Sequence, residues 1–326
     1  MFLDLQLNYL LWLQNIRESL NGFFDPLFLS LSLFGSFILP ICTFALIYWG
    51  LNKKVGEFII LSYSFSMVIN QFAKMLVCIN RPWVLNEKIK PVSDAITAAT
   101  GFSFPSGHTA NAISIWGGLC AWFWDNKKIR YTMIILVLLI GFSRNYLGVH
   151  TPQDVLFSFF VGVFILIIFK KIYDKVDSKE NNDIKICAAG ILGVVIAIGM
   201  VVYKYNILEG QDYLDFVKQM PSFYFNVGLP LGCFSGWCLC RKFIPFGTDN
   251  MNWVYRLSRI IPGLIFTLVL MLYETPVFVQ EFGKCKGNFF GALIVGLFVT
   301  FIYPWIFTRF EKRFNLKGIE SIWNKN

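Results

Sequence analysis

The chain contains only two histidines, His108 and His150, and both stand in polar clusters between long apolar blocks. Three groups of residues surround them. The first is Lys74, followed after six residues by Arg81-Pro82. The second is Pro105-Ser106-Gly107-His108. The third is Ser143-Arg144, with five residues to His150 and three more to Asp154. These residue types suit transfer of a phosphoryl group, in which charge spreads over three oxygens and fixed cations and amide donors supply most of the catalysis. Lys74, Arg81 and Arg144 can supply the cations, the arginines as two-pronged forks and the lysine as a point charge. Pro105 fits the first position of a helix, where Ser106 and Gly107 would turn backbone N–H groups toward an anion. A nucleophile needs a neutral imidazole nitrogen whose partner nitrogen is held by a carboxylate. His150 with Asp154 provides that pair, and His108 is left as the acid for the departing alkoxide.

Each group also has a plainer reading. Thr151-Pro152-Gln153-Asp154 can be a helix start in which Asp154 closes a capping box. Lysines and arginines at the ends of apolar blocks often extend to the interface. The joint occurrence of both histidines, three cations and a helix start favours a site over those readings, because ionisable clusters at membrane depth are functional by default.

The elements that position these residues follow from composition. The sequence of 326 residues is 56% hydrophobic and 15% charged, whereas a soluble domain carries about 25% charged residues. The apolar residues fall in blocks of roughly 20, enough to cross ~30 Å of hydrocarbon. The predicted fold is therefore all-α, a polytopic membrane bundle. Nine spans are expected at 26–50, 55–79, 105–124, 129–147, 152–173, 184–204, 222–242, 256–273 and 287–308, the weakest being 222–242 with Pro230 and three glycines. The net charge of +9 reflects topology rather than nucleic-acid binding, since 19 of the 29 basic residues fall in alternate connectors and the C-terminal tail. The positive-inside rule then places the C-terminus in the cytoplasm and all three residue groups on the opposite face.

Residues 2–21 read as an amphipathic helix with Tyr9, Trp12, Leu13, Ile16 and Leu20 on one face and Asn8, Asn15, Arg17 and Glu18 largely elsewhere. Such a helix lies in the headgroup layer or packs on its own protein. No cleavable signal peptide is expected, because Asp4 stands where a basic region belongs. The eight cysteines lack metal-type spacing and read as free, small apolar residues. The loop between Arg81 and Pro105 carries Trp83, Val84, Leu85, Ile89, Val92, Ile96, Phe102 and Phe104, which could contact acyl chains or simply anchor the loop. A polar run at 174–185 separates five N-terminal spans from four C-terminal ones.

Together Lys74, Arg81, Pro82; Pro105, Ser106, Gly107, His108; and Ser143, Arg144, His150, Asp154 resemble the tripartite signature of the type 2 phosphatidic acid phosphatase superfamily. That family includes lipid phosphate phosphatases, glucose-6-phosphatase and the vanadium haloperoxidases. The resemblance implies that His150 is the nucleophile and His108 the acid. It also implies that Lys74, Arg81, Ser106, Gly107, His108 and Arg144 bind phosphate, with no metal and no cofactor. It implies a phosphatase core over residues 1–175, and a linker with four accessory spans over 176–326. The expected substrate is a phosphorylated lipid such as phosphatidate, phosphatidylglycerophosphate, a polyprenyl diphosphate or a sphingoid phosphate. A glucose-6-phosphatase-like sugar phosphatase is the alternative, and a transporter or lipid-binding protein is a rival outside enzymes. The expected location is a cell membrane of bacterial type, and the sequence leaves the oligomeric state open.

Overall fold

The computed structural model describes residues 2–97, 99, 101–249 and 251–314, and among these it is helical with no strand. Long runs of Ile, Leu, Phe and Val in a bilayer must satisfy their backbone groups internally, which a helix does within one segment. Helix α1 (Phe2–Ser19) precedes α2 (Asp25–Leu33) and α3 (Ile38–Leu46), the latter prolonged by a π-helical turn at Ile47–Leu51. Then come α4 (Lys53–Val77), the short α5 (Pro82–Leu85) and α6 (Ser93–Thr97), and α7 (Gly107–Ala112). A π turn at Ile113–Gly117 carries α7 into α8 (Gly118–Trp122). The remaining helices are α9 (Lys127–Tyr146), α10 (Pro152–Tyr173), α11 (Asn182–Ile207), α12 (Gly210–Phe243), α13 (Trp253–Val269), α14 (Thr275–Phe282), α15 (Lys284–Leu297) and α16 (Tyr303–Arg313).

By length and composition six helical stretches can cross a membrane, or seven if the bent pair α2 and α3 is one span. Two of the nine expected crossings fall short of that measure. At 105–124 the helix is widened by its π turn and carries His108, Asn111 and Ser114. At 129–147, basic residues at both ends of α9 leave an apolar stretch of roughly 13 residues, about 20 Å at 1.5 Å per residue. The segment 222–242 lies within α12, which runs for 34 residues through Pro221 and Pro230. Its glycines serve close packing: a Cβ added at Gly232 would lie 2.2 Å from the Leu293 carbonyl oxygen of α15.

Two compact units are each assembled from separate stretches of chain. Unit 1 comprises the chain up to Pro40, Ile69–Lys170 and Ala197–Met220. Unit 2 comprises Ile41–Val68, Lys171–Ile196 and the chain from Pro221. Unit 2 is held in part by polar pairs, each with a buried member. The Arg259 guanidinium donates to Glu311 at 2.8 Å, Trp49 Nε1 donates to the Val299 carbonyl at 2.9 Å, and Glu57 accepts from Tyr173 at 2.9 Å and Arg241 at 3.2 Å. All eight cysteines are free, and Cys120, Cys187, Cys233 and Cys240 are buried.

In unit 1, α1 packs on the protein through Gln6, Leu7, Leu10, Leu13, Gln14 and Arg17. Leu13 therefore packs inward, whereas Tyr9, Trp12, Ile16 and Leu20, grouped with it in the sequence, stay half-buried or exposed. Arg17, expected away from the apolar face, is buried because its guanidinium donates to the Lys90 carbonyl at 2.6 Å.

Candidate active site

The three sequence groups meet within unit 1, and the backbone does much of the positioning. After α9 the chain reverses at Gly148, whose φ of +75° is a left-handed value that side-chain-bearing residues rarely adopt. The Val149 and His150 amides both donate to the Arg144 carbonyl, at 3.1 and 3.2 Å, and Asn145 Nδ2 donates to the His150 carbonyl at 2.9 Å. His150 is thus fixed before its ring makes any contact.

Helix α10 then starts with a reciprocal cap. The Thr151 N–H donates to Asp154 Oδ2 at 2.9 Å, and the Asp154 N–H donates to Thr151 Oγ1 at 3.4 Å. The same Oδ2 faces His150 Nδ1 at 3.3 Å and accepts from Ser103 Oγ at 2.6 Å. Capping and histidine pairing, alternatives in the sequence, occur together on one oxygen.

The other ring nitrogen fixes the tautomer. Arg81 Nη1 lies 2.9 Å from His150 Nε2, and a guanidinium can only donate. Nε2 therefore accepts and Nδ1 carries the proton toward Asp154. Arg81 also donates to the Gly101 and Val149 carbonyls, each at 2.9 Å. Burial first, and then the charges of Arg81, Arg144 and Lys74, hold the His150 imidazole well below its ordinary range. A depressed value keeps the ring neutral until the pH falls through that lower value. If His150 is the nucleophile, the acid limb of kcat/KM assigned to it should lie below ~6.5, the value of a free imidazole. A pH–rate profile with a substrate whose phosphate stays in one ionic form checks this.

The remaining cations differ in what they already hold. Lys74 is buried and donates to the Phe102 and Pro105 carbonyls at 2.6 and 2.9 Å, tying α4 to the loop ahead of α7. Arg144 is fully buried, and its Nη1 donates to Ser32 Oγ of α2. Among the described residues, its Nε and Nη2 are buried without a hydrogen-bond partner. Leaving a buried donor unpaired costs about 1–3 kcal/mol, more when it is charged, so this face of the guanidinium is built for an acceptor.

Pro105 does not occupy the first helical position. The Phe104–Pro105 peptide is cis, Ser106 is the N-cap, and Gly107 opens the helix. Ser106 accepts from the Thr109 N–H at 3.4 Å while its own N–H donates to the Asp154 carbonyl at 3.1 Å. The Ser106 amide is therefore spent on joining α7 to α10, and the first-turn amides left without a helical carbonyl are those of Gly107 and His108. The His108 ring is half-buried and within electrostatic reach of Arg144, His150, Arg81 and Lys74.

Three supporting residues escaped the sequence reading: Ser103 on Asp154, Asn145 on the His150 carbonyl, and Ser32 on Arg144. The apolar loop set divides. Ile89 packs with Leu7 and Leu10, and Trp83 and Val92 pack on Tyr146, Leu147 and Val149. Phe102 and Phe104 are buried, whereas Val84, Leu85 and Ile96 are exposed. Among the described residues, no three His, Cys, Asp or Glu side chains are grouped to hold a metal ion.

Residues 58–178 match the model of the PAP2 superfamily, and residues 224–315 match that of the PAP2 superfamily phosphatase transmembrane extension. The chain belongs to the PAP2 superfamily. The first PAP2 match contains Lys74, Arg81, Ser106, Gly107, His108, Arg144, His150 and Asp154. The extension and the long apolar helices make this PAP2 chain an integral membrane protein. It is 36% identical over 108 residues to undecaprenyl-diphosphatase BcrC of Bacillus subtilis (strain 168), covering 33% of this chain and 52% of the relative. It is 30% identical over 112 residues to phosphatidylglycerophosphatase B of the same organism, covering 32% and 54%. It is 27% identical over 180 residues to lipid phosphate phosphatase delta of Arabidopsis thaliana, covering 51% and 43%. The chain thus spans about half the length of these PAP2 relatives. No solved structure matches it.

Proposed function

We propose that this chain is a membrane-embedded phosphatase that removes phosphate from a lipid through a phosphohistidine on His150. The observation that carries the reading is the chain Arg81–His150–Asp154, with Nε2 as acceptor, beside the open fork of Arg144. In the first step Nε2 attacks phosphorus as the bond to the lipid oxygen breaks, and His108 gives that oxygen a proton. Asp154 stabilises the positive charge that develops on the His150 ring. Arg144, the Gly107 and His108 amides, Lys74 and Arg81 hold the phosphoryl oxygens, with Arg81 turning from Nε2 to an oxygen as the substrate enters. In the second step water attacks the phosphohistidine, His108 takes a proton from that water, and phosphate and free His150 result. No metal or cofactor enters either step, so EDTA should leave the rate unchanged.

The relatives are named for undecaprenyl-diphosphate, phosphatidylglycerophosphate and lipid phosphates, which supports an amphiphilic substrate. A lipid keeps its tail in hydrocarbon at ~0.8 kcal/mol per methylene while its phosphate reaches the ends of the helices. Phosphate release is the test, comparing kcat/KM for a short-chain phosphatidate and glucose-6-phosphate in one detergent. The lipid should be preferred at least tenfold, and a tenfold preference for the sugar phosphate would sink the reading.

In the membrane the chain makes nine crossings, the shorter helices included, with α1 along the outer surface. Residues 1–175 act as the phosphatase part and 176–326 as linker and accessory spans. The site faces away from the cytoplasm and the C-terminus faces it. Ser93 and Ser178 are both exposed. Cysteines placed there singly, in a cysteine-free background, test the orientation. An impermeant thiol reagent applied to intact cells should label position 93 and spare 178, and the reverse pattern inverts the topology.

A further inference from the structure

Helix α1 has three faces, not two. At about 100° per residue, Phe2, Leu5, Tyr9, Trp12 and Ile16 fall within an arc of roughly 80°, and Phe2, Leu5 and Trp12 are 67%, 65% and 56% exposed. The adjoining arc, roughly 120° wide, holds Gln6, Leu7, Leu10, Leu13, Gln14 and Arg17, all buried. The third arc carries Asp4, Asn8, Asn15, Glu18 and Ser19, all exposed. A helix lying between protein and water needs one apolar face. A second apolar face, next to the first and uncovered, calls for a third medium. The helix it holds through Gln153 presents apolar surface on the same side: at about 100° per residue Leu156, Phe160 and Phe164 of α10 fall within roughly 60° of Gln153, and all three are exposed. The occupant these uncovered faces point to is the boundary between headgroups and acyl chains.

The buried arc reaches the catalytic loops. Gln6 Oε1 accepts from the Gln153 N–H at 2.9 Å, and Gln6 Nε2 donates to Gln153 Oε1 at 3.1 Å. The Gln153 amide is one of the first-turn donors of α10 that no helical carbonyl can satisfy, and it immediately precedes Asp154. Further along, Gln14 accepts from the Lys90 N–H at 2.7 Å, and Arg17 donates to the Lys90 carbonyl. One helix thus holds the start of α10 and the middle of the loop between Arg81 and Pro105.

We propose that α1 docks on the lipid surface with the Phe2, Leu5, Trp12 face and, through Gln6 and Gln153, positions Asp154 against His150. Gln6 is a positioning residue, and its kinetic role rests on the phosphatase reading. The docking does not.

The test has two arms. For docking, single nitroxide labels at Leu5 and Asn8 are compared by electron paramagnetic resonance in vesicles of phosphatidylcholine and phosphatidylglycerol. The label at 5 should be relaxed more by oxygen than by a water-soluble nickel chelate, and the label at 8 the reverse. Preference for the chelate at both positions overturns docking. Shielding of position 5 from both relaxants, with dipolar coupling between copies, assigns the face to a second chain and also overturns it. For positioning, Gln6→Ala should lower kcat about tenfold with KM and melting temperature unchanged. Gln6→Glu, which keeps an acceptor for the Gln153 N–H, should recover most of the loss. A change in melting temperature alone, or no recovery with Glu, defeats the positioning role. A wild-type protein inert toward every lipid phosphate would overturn the kinetic arm together with the phosphatase reading, and the label depths would still decide the docking.

Discussion

His150→Ala is expected to lower kcat by about 10⁴-fold or more, as removal of a nucleophile does, while the protein stays folded and still binds inorganic phosphate. The ring can be removed without releasing its loop, because the loop is held by the His150 amide and carbonyl through Arg144 and Asn145. Arg81 keeps the Gly101 and Val149 carbonyls when the ring is gone. Loss of activity should therefore come without loss of phosphate binding. Steady-state phosphate release and a phosphate-binding isotherm on the same preparation check both halves. Turnover within tenfold of wild type would remove His150 from the nucleophile's role.

Asp154→Asn separates the two duties of that residue. Asn can accept the Thr151 N–H and Ser103 hydroxyl bonds now made by Oδ2, and the reach back from the third helical position to the cap N–H needs only an acceptor oxygen. Stability should therefore change little. What is lost is the negative charge facing Nδ1, which stabilises the ring as it becomes cationic on attack. The expected fall in kcat is about 10²–10⁴-fold, the range seen when a preorganised charge partner is neutralised. A thermal melt and kcat measured together decide the matter. Normal activity would make Asp154 a helix cap and nothing more, whereas a large drop in melting temperature would make its structural duty the dominant one.

The sequence made some parts of this molecule visible and hid others, for physical reasons. The all-helical membrane class could be read because apolar blocks of spanning length have few other solutions. The break between α2 and α3 could not, since the residues at the bend, Phe34-Gly35-Ser36-Phe37, sit inside an otherwise continuous apolar run. The π turns in α3 and α7 left no composition signal either. In the site, the charged and histidine residues stood out by type, since such groups are expensive at membrane depth. Their supports did not. Ser103 lies 51 residues from Asp154, and Ser32 lies 112 residues from Arg144. A lone serine in an apolar segment is ordinary until the fold gives it a partner.

The spent Ser106 amide shows a similar limit. A Pro-Ser-Gly-His run suggests a helix start, but only the tertiary pairing of Ser106 with the Asp154 carbonyl shows which amides are taken. For α1 the sequence offered lipid or protein as the partner of its apolar residues. The fold assigns Leu13 and Leu10 to protein and leaves Phe2, Leu5 and Trp12 uncovered. That division follows from where Gln6, Gln14 and Arg17 find their hydrogen bonds, which the sequence does not contain.

The central claim is a covalent phosphoenzyme on His150. It is tested most directly by mixing the purified protein with a short-chain lipid phosphate in EDTA, quenching in base within the first turnover, and mapping the phosphorylated residue by mass spectrometry. Phosphohistidine survives base and is lost in acid. The account predicts base-stable, acid-labile phosphate on His150, forming and decaying at rates that account for kcat and absent from His150→Ala. Undiminished phosphate release with no phosphoenzyme at any quench time, or phosphate on a different residue, would contradict it.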